Sequence, residues 1–173
     1  MEQALDMTTA DRDTGFRELL ERHRAIVFKV ANSYANNAAD REDLAQEIAA
    51  QVWRAFPRYD GEHAFSTWMY RIALNVAISQ LRDRSRYERH HEALDTAVHD
   101  AASADATPES AAAVRELQRC IARLDPLNRA LLILYLDERS QREIAEILGI
   151  SETNVATKIG RLKQRLRNDM SEA

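Results

Sequence analysis

Three groups of side chains in this sequence have the types and spacing to do chemistry. The first lies in "FSTWMYRIALNVAISQLRDR", Phe65 to Arg84, a stretch without Gly or Pro. Phe65, Trp68, Met69, Ile72, Ala73, Val76 and Leu81 give it an apolar stripe at helical spacing, while Thr67, Arg71, Asn75, Ser79 and Arg82 recur on the other side. Arginines attract phosphate, and an asparagine, with both donor and acceptor, can read a base edge. The second group is basic: Lys158, Arg161, Lys163, Arg165 and Arg167 occur between Thr153 and Asn168 with no acid among them. The third is acidic. In "DREDLAQE", Asp43 and Glu47 stand four residues apart on one helical face without a nearby His, which suits a basic partner or water better than a metal.

Other chemistry finds no support. No nucleophile is paired with a base, and neither a phosphate loop nor a dinucleotide fingerprint occurs. His90 and His91 lack further ligands at useful spacing, and Cys120 falls among apolar positions as a buried thiol would. The reading is therefore not an enzyme, and no metal or cofactor is implied. The 173 residues suit one domain or two small ones, and 45% hydrophobic content is enough to fold. No 18-residue apolar run predicts a membrane span, and "MEQALDMTTADRD" lacks the apolar core of a signal peptide. A single Cys suits a reducing cytoplasm. The net charge of −4 argues against a protein that simply coats nucleic acid, so the segregation of charge matters more than its sum.

No segment alternates like a strand, and the chain reads as all-α. Phe16, Leu19, Leu20, His23, Ile26, Val27, Val30, Ala31 and Tyr34 outline a first helix. "NNAAD" breaks it, and Asp40 is expected to cap a second helix carrying Leu44, Ile48, Val52 and Phe56 and ending before Pro57. Between Arg89 and Arg115 there is no Lys or Arg, and the stretch is rich in Ala, Ser and Asp. Such a composition buries too little apolar surface to offset ordering, so residues 89–108 read as a flexible acidic linker. It separates a module over 10–88 from one over 109–173. In the second module Pro108 can start a helix, and Pro126 closes that helix and opens the next. Ser140 and Glu143 then form a capping box, Gly149 suits the position past a helix end, and Ser151 caps a last helix. Two helices joined by a short Gly turn read as a helix-turn-helix. Val155, Ile159, Leu162 and Leu166 would pack inward, with Asn154, Thr157, Lys158, Arg161 and Arg165 outward.

"DREDLAQEIAAQVWRAFPRYDGEHAFSTWMYRIALNVAISQLR" resembles region 2 of sigma factors of bacterial RNA polymerase, in the extracytoplasmic-function group of the sigma-70 family. "LDPLNRALLILYLDERSQREIAEILGISETNVATKIGRLKQRLR" resembles region 4 of the same group. The resemblance implies a region 2 helical bundle and a region 4 helix-turn-helix joined by a flexible linker. It implies a protein that binds RNA polymerase core, directs it to promoters and helps open the duplex, with an anti-sigma factor as a further partner. Its place would be the cytoplasm, held near the membrane only through such a partner. By resemblance, Asp43, Leu44, Gln46 and Glu47, with Arg54, would dock on core. The loop Tyr59, Asp60, Gly61, Glu62, His63 and Ala64 would hold a flipped base of the −10 element, beside Arg71, Asn75, Ser79 and Arg82. Tyr59, Phe65 and Tyr70, with Arg58, Arg71, Arg82, Arg84 and Arg86, are candidates for stacking surfaces and a positive groove. At the −35 element the readers would be Ser151, Thr153, Asn154, Thr157, Lys158, Arg161 and Arg165.

The chain departs from the family pattern in the last helix, where Ala156 stands at a commonly basic position and Gly160 replaces a larger residue. Two other readings compete. One is a stand-alone helix-turn-helix regulator, which leaves the acidic and Trp-containing helices without a role. The other is a sigma-like decoy that only binds a regulatory protein, against which the retained Arg71 and Asn75 argue.

Overall fold

The computed structural model describes residues 9–90 and 119–171, with isolated positions 112, 116 and 117 between them. All regular structure among the described residues is helical. The elements are α1 (Thr9–Tyr34), α2 (Ala38–Ala55), a 3-10 turn (Phe56–Arg58), α3 (Phe65–His90), α4 (Pro126–Leu136), α5 (Gln141–Leu148) and α6 (Glu152–Ser171). Helix α3 reaches two positions into the stretch 89–108, and the rest of that stretch lies outside the described residues, as does the helix start expected at Pro108.

Helices α1, α2 and α3 pack on one another around Val30, Leu44, Ile48, Val52 and Met69, all fully enclosed. Leu44, Ile48 and Val52 follow the four-residue step that puts them on one stripe of α2, and burial of each contributes about 1.5–3 kcal/mol. The cap of α2 differs from the one the sequence suggests. Asn37, in extended conformation, accepts a hydrogen bond from the Asp40 amide at 2.9 Å and starts the helix. Asp40 therefore lies in the first turn, where its carboxylate accepts from Asn37 Nδ2 at 2.9 Å and Arg84 Nη1 at 2.8 Å. Both residues are good caps, and local preference alone does not choose between them.

In the second half, Asp125 caps α4 through the Asn128 amide, and Pro126 occupies its first turn. The Ser140–Glu143 capping box is formed in both directions. Gly149 ends α5 with φ +67°, a left-handed conformation that favours glycine, and the three residues 149–151 then turn the chain into α6. Ser151 Oγ accepts from the Asn154 amide at 3.2 Å. Val155, Ile159 and Leu162 are buried and Leu166 packs against them, as the pattern predicts. Cys120 is a buried free thiol.

The two halves meet. Helix α1 touches α4 and α3 touches α5, and one apolar core runs through both sets. Polar contacts line the seam. Arg129, only 8% exposed, donates to the Ser33 carbonyl at 3.1 Å, Ala122 at 2.8 Å and Leu124 at 3.2 Å. Its guanidinium stacks on the Tyr34 ring, 5.1 Å from the centroid, and the Tyr34 hydroxyl donates to the Pro126 carbonyl at 2.7 Å. Arg129 Nε is left buried without a partner.

Candidate nucleic-acid and polymerase interfaces

The acidic face of α2 keeps the expected surface with one exception. Asp43, Gln46 and Arg54 are exposed and Glu47 is half-buried. Glu47 Oε1 accepts from Gln51 Nε2 at 2.8 Å and lies 3.5 Å from Arg54 Nη1. Leu44, by contrast, is 1% exposed and belongs to the core, so its part in any docking is to hold the helix, not to touch a partner. Sequence reasoning did not single out Trp53. It is 45% exposed, edge-on to Phe16 at 4.8 Å, and seven residues past Gln46, hence on the same face two turns on. A large apolar ring left in water beside charged side chains is the signal that could have found it.

The loop between the 3-10 turn and α3 is tied by its own groups. The Tyr59 amide donates to the Phe56 carbonyl at 3.0 Å, and the Tyr59 hydroxyl donates to the His63 carbonyl at 2.7 Å. Asp60 Oδ1 accepts from the Glu62 amide at 3.0 Å, and Gly61 between them takes φ +77°. Below lies an aromatic floor: the Tyr59 ring is 5.5 Å from Phe65 and 5.0 Å from Trp68. Burial, then the Asp60 charge, push the Tyr59 phenol above its ordinary value, so it stays a neutral hydrogen-bond donor. Asp60, Gly61, Glu62, His63 and Ala64 are exposed. His63 Nδ1 lies 3.6 Å from Glu146 of α5.

Beside this loop, Arg71, Asn75, Ser79 and Arg82 form one exposed stripe on α3. It spans eleven residues, about 16 Å along the axis. Three expectations for this helix need correcting. Thr67, expected at the head of the stripe, is buried. Tyr70 and Phe65, considered as stacking surfaces, are buried as well, Tyr70 completely. The reason is that α3 is covered on two sides, by α1 and α2 and by α5. Arg84 is drawn to Asp40 and is half-buried, whereas Arg58 and Arg86 are exposed.

On α6, Thr153, Asn154, Thr157, Arg161 and Arg165 are exposed, with Ser151 at the cap and Lys158 half-buried. Thr157 Oγ1 donates back to the Thr153 carbonyl at 2.9 Å. Arg165 Nε is 3.9 Å from Asp169. Lys163 instead lies over the Tyr135 ring of α4 at 4.4 Å, off the outward face. Ala156 and Gly160 are exposed on that face, which leaves a shallow neutral strip between the polar groups. Among the described residues no cluster of His, Cys, Asp and Glu could hold a metal ion, and no helix is long and apolar enough to cross a membrane.

Comparison with known proteins follows the same division. The family model for sigma-70 region 2 matches residues 19–87, and that for sigma-70 region 4 matches residues 114–166. The extracytoplasmic-function sigma factor SigW of Bacillus subtilis is 30% identical over 172 residues, covering 94% of this chain and 91% of that protein. The sigma factor CnrH of Cupriavidus metallidurans is 29% identical, covering 87% of this chain and 84% of that one. Among solved structures, the sigma factor RpoE in its complex with the anti-sigma factor NepR from Bartonella quintana aligns with a TM-score of 0.73. The two are 18% identical, with 94% of this chain and 98% of that chain covered. CnrH, solved with the cytosolic domain of CnrY, aligns with a TM-score of 0.65 at 24% identity, covering 92% and 90%. With region 2 on α1–α3, region 4 on α4–α6 and a relative matched over nearly its whole length, the chain belongs to the extracytoplasmic-function group of sigma-70 family sigma factors.

Proposed function

We propose that this sigma factor docks on RNA polymerase core through the α2 face of Asp43, Gln46, Glu47 and Arg54, with Leu44 holding that face from behind. It captures the −10 strand with the loop 59–64 and the stripe Arg71, Asn75, Ser79 and Arg82. It reads the −35 duplex with Ser151, Thr153, Asn154, Thr157, Lys158, Arg161 and Arg165. The observation that carries this is the α3 stripe: three donor-rich side chains and a hydroxyl face water beside a loop with an aromatic floor, on a helix whose remaining positions from 65 to 81 are buried or half-buried. Cations hold the backbone, stacking surfaces receive an unpaired base, and Asn75 discriminates among base edges. Capture of an extruded base offsets the few kcal/mol of unpairing, so strand opening needs no nucleotide hydrolysis and no cofactor. The chain does this as a binding protein, not a catalyst. Regions 10–88 and 109–173 act as the two reading modules, joined by 89–108. Its place of action is the cytoplasm, with polymerase. RpoE was solved with NepR and CnrH with the cytosolic domain of CnrY, and an anti-sigma partner is inferred here by the same relationship.

Run-off transcription with purified core polymerase tests the proposal. The native chain should direct initiation, and reversal of both charges at Asp43 and Glu47 should weaken core binding while leaving helicity intact. Unchanged core affinity after that reversal would remove the α2 assignment.

A further inference from the structure

We propose that Gly160 marks the point where α6 comes closest to the floor of the −35 major groove, and that this close approach makes the helix a reader of thymine methyl groups and not of guanine. This rests on the −35 assignment above, to which it adds the class of base that is read. Gly160 is a residue that the fold itself does not explain. It lies in the interior of α6, where glycine is the poorest residue after proline. Its φ is not positive, in contrast to Gly61 and Gly149. A Cβ at Gly160 would meet nothing within 4 Å, so no neighbour in the chain demands its smallness. What the missing side chain does is clear space on the outward side of the helix.

Helical geometry shows what that space faces. At about 100° per residue, Thr153, Thr157 and Gly160 lie within about 60° of one another, opposite the buried Val155, Ile159 and Leu162. All three are exposed and uncharged, and they belong to the N-terminal part of the helix, the part that meets base edges in a helix-turn-helix. With no Cβ at 160, backbone and base edges can come closer there than any other residue allows. Thr157 donates its hydroxyl proton to the Thr153 carbonyl at 2.9 Å. It is left with a methyl group and an acceptor oxygen, and it cannot donate to N7 or O6 of guanine. A thymine offers the matching methyl, and its paired adenine offers the matching N6 amino group. Asn154, exposed beside the strip, suits N6 and N7 of an adenine. Arginine and lysine are the common readers of guanine, and neither lies on the strip between 153 and 160. Lys158 is half-buried to one side, Arg161 and Arg165 follow on that same flank, and Lys163 lies over the Tyr135 ring. The flank cations are placed for phosphates, which leaves the strip to read by fit.

The experiment uses polymerase core loaded with the native full chain, with Gly160→Ala or with Thr157→Ser. Selection by native holoenzyme from duplexes randomised at both promoter elements should return a −35 element dominated by A·T pairs. Each thymine of that element is then replaced by uracil, which lacks only the methyl. Native holoenzyme should lose about fourfold in affinity at each contacted thymine, the worth of one buried methyl group. Gly160→Ala should unfold at no lower temperature, because alanine is the better helix former and its methyl meets nothing in the chain. It should nevertheless bind the −35 duplex roughly tenfold more weakly, as an overpacked contact does, and lose its preference for thymine over uracil. Thr157→Ser keeps the hydroxyl without the methyl and should lose that preference at one thymine only. Equal binding of thymine and uracil by the native chain, or a −35 element selected for guanine, overturns the methyl reading. Native affinity in Gly160→Ala, or thymine preferences unchanged in both variants, overturns the close approach. If native holoenzyme selects no −35 sequence at all, the −35 assignment itself has failed, and the reading of thymine falls with it.

Discussion

Asn75→Ala separates reading from folding. Asn75 is exposed on α3, and its side chain makes no hydrogen bond among the described residues. Its neighbours one turn away on the same stripe are Arg71 and Ser79, also exposed, and the core positions Ala73, Leu74 and Ala77 point elsewhere. Removing its amide therefore opens no cavity and orphans no partner. Alanine is also the better helix former, by up to about 0.7 kcal/mol, so the folded state should be unchanged or slightly more stable. Function moves the other way. A well-placed base contact discriminates by about 1–3 kcal/mol, and at about 1.4 kcal/mol per decade that is a loss of roughly 5- to 150-fold in open complexes. Permanganate reactivity of −10 thymines, on duplex and premelted promoters with saturating core, reads that loss. Thermal unfolding of the free chain reads the fold. If Asn75→Ala opens the promoter normally and its melting temperature falls by several degrees, the residue is structural and the assignment of the α3 stripe is wrong.

Three further outcomes follow from the same structure. Arg161→Ala should weaken −35 duplex binding by holoenzyme and lower the magnitude of its salt slope by about 0.9, the share of one phosphate contact; an unchanged slope in filter binding would take Arg161 off the DNA. Arg129→Met removes three hydrogen bonds from a buried cation, and after recovery of its desolvation the fold should lose about 2–4 kcal/mol, visible as a lower urea midpoint; a change under about 0.5 kcal/mol would mean the carbonyls it serves are satisfied without it. His23 lies 5.4 Å from Phe65, and burial, then the Arg22 and Arg139 charges, push its pKa below the ordinary 6.5. Protonation then favours the unfolded chain, so stability present above pH 6.5 should be lost as the pH falls below it; His23→Gln should flatten that part of the urea-midpoint profile, and identical slopes would show that His23 does not titrate there.

What the sequence revealed and what it hid divide by distance along the chain. Caps and turns of α4 to α6 depend on residues three or four apart, and Ser140, Glu143, Gly149 and Ser151 could be read directly. The inward stripe of α6 follows one helical period and was equally legible. Helix α3 was harder, because a second surface lies on it. Periodicity assigns Thr67 to the wet side and the family resemblance makes Tyr70 a stacking candidate, but α5 and the turn before it cover that side and supply Asp137 as partner to the Tyr70 hydroxyl, 67 residues away. Arg84 reads as a groove residue in the sequence, but Asp40, 44 positions earlier, pairs with it. The candidate reading residues were legible where they face water and mistaken where a distant element claims the same side.

Charge accounts for why such a chain works through polymerase. On the outward face of α6 only Lys158, Arg161 and Arg165 carry positive charge, Ala156 adds none, and Arg165 is near Asp169. Three phosphate contacts there would give a salt exponent of about 2.7, against the 6–10 contacts of a strongly salt-dependent DNA binder. The stripe on α3 adds only Arg71 and Arg82, and the chain as a whole carries −4. If these are the reading surfaces, long-range attraction to DNA is weak and each is too small to find a promoter unaided. Fixing both surfaces on one polymerase changes this, because once either element is bound the other is met at high effective concentration. A sigma factor with few cations on each reading face would then gain specificity from joint engagement, and little affinity would be spent on DNA that offers only one of the two elements.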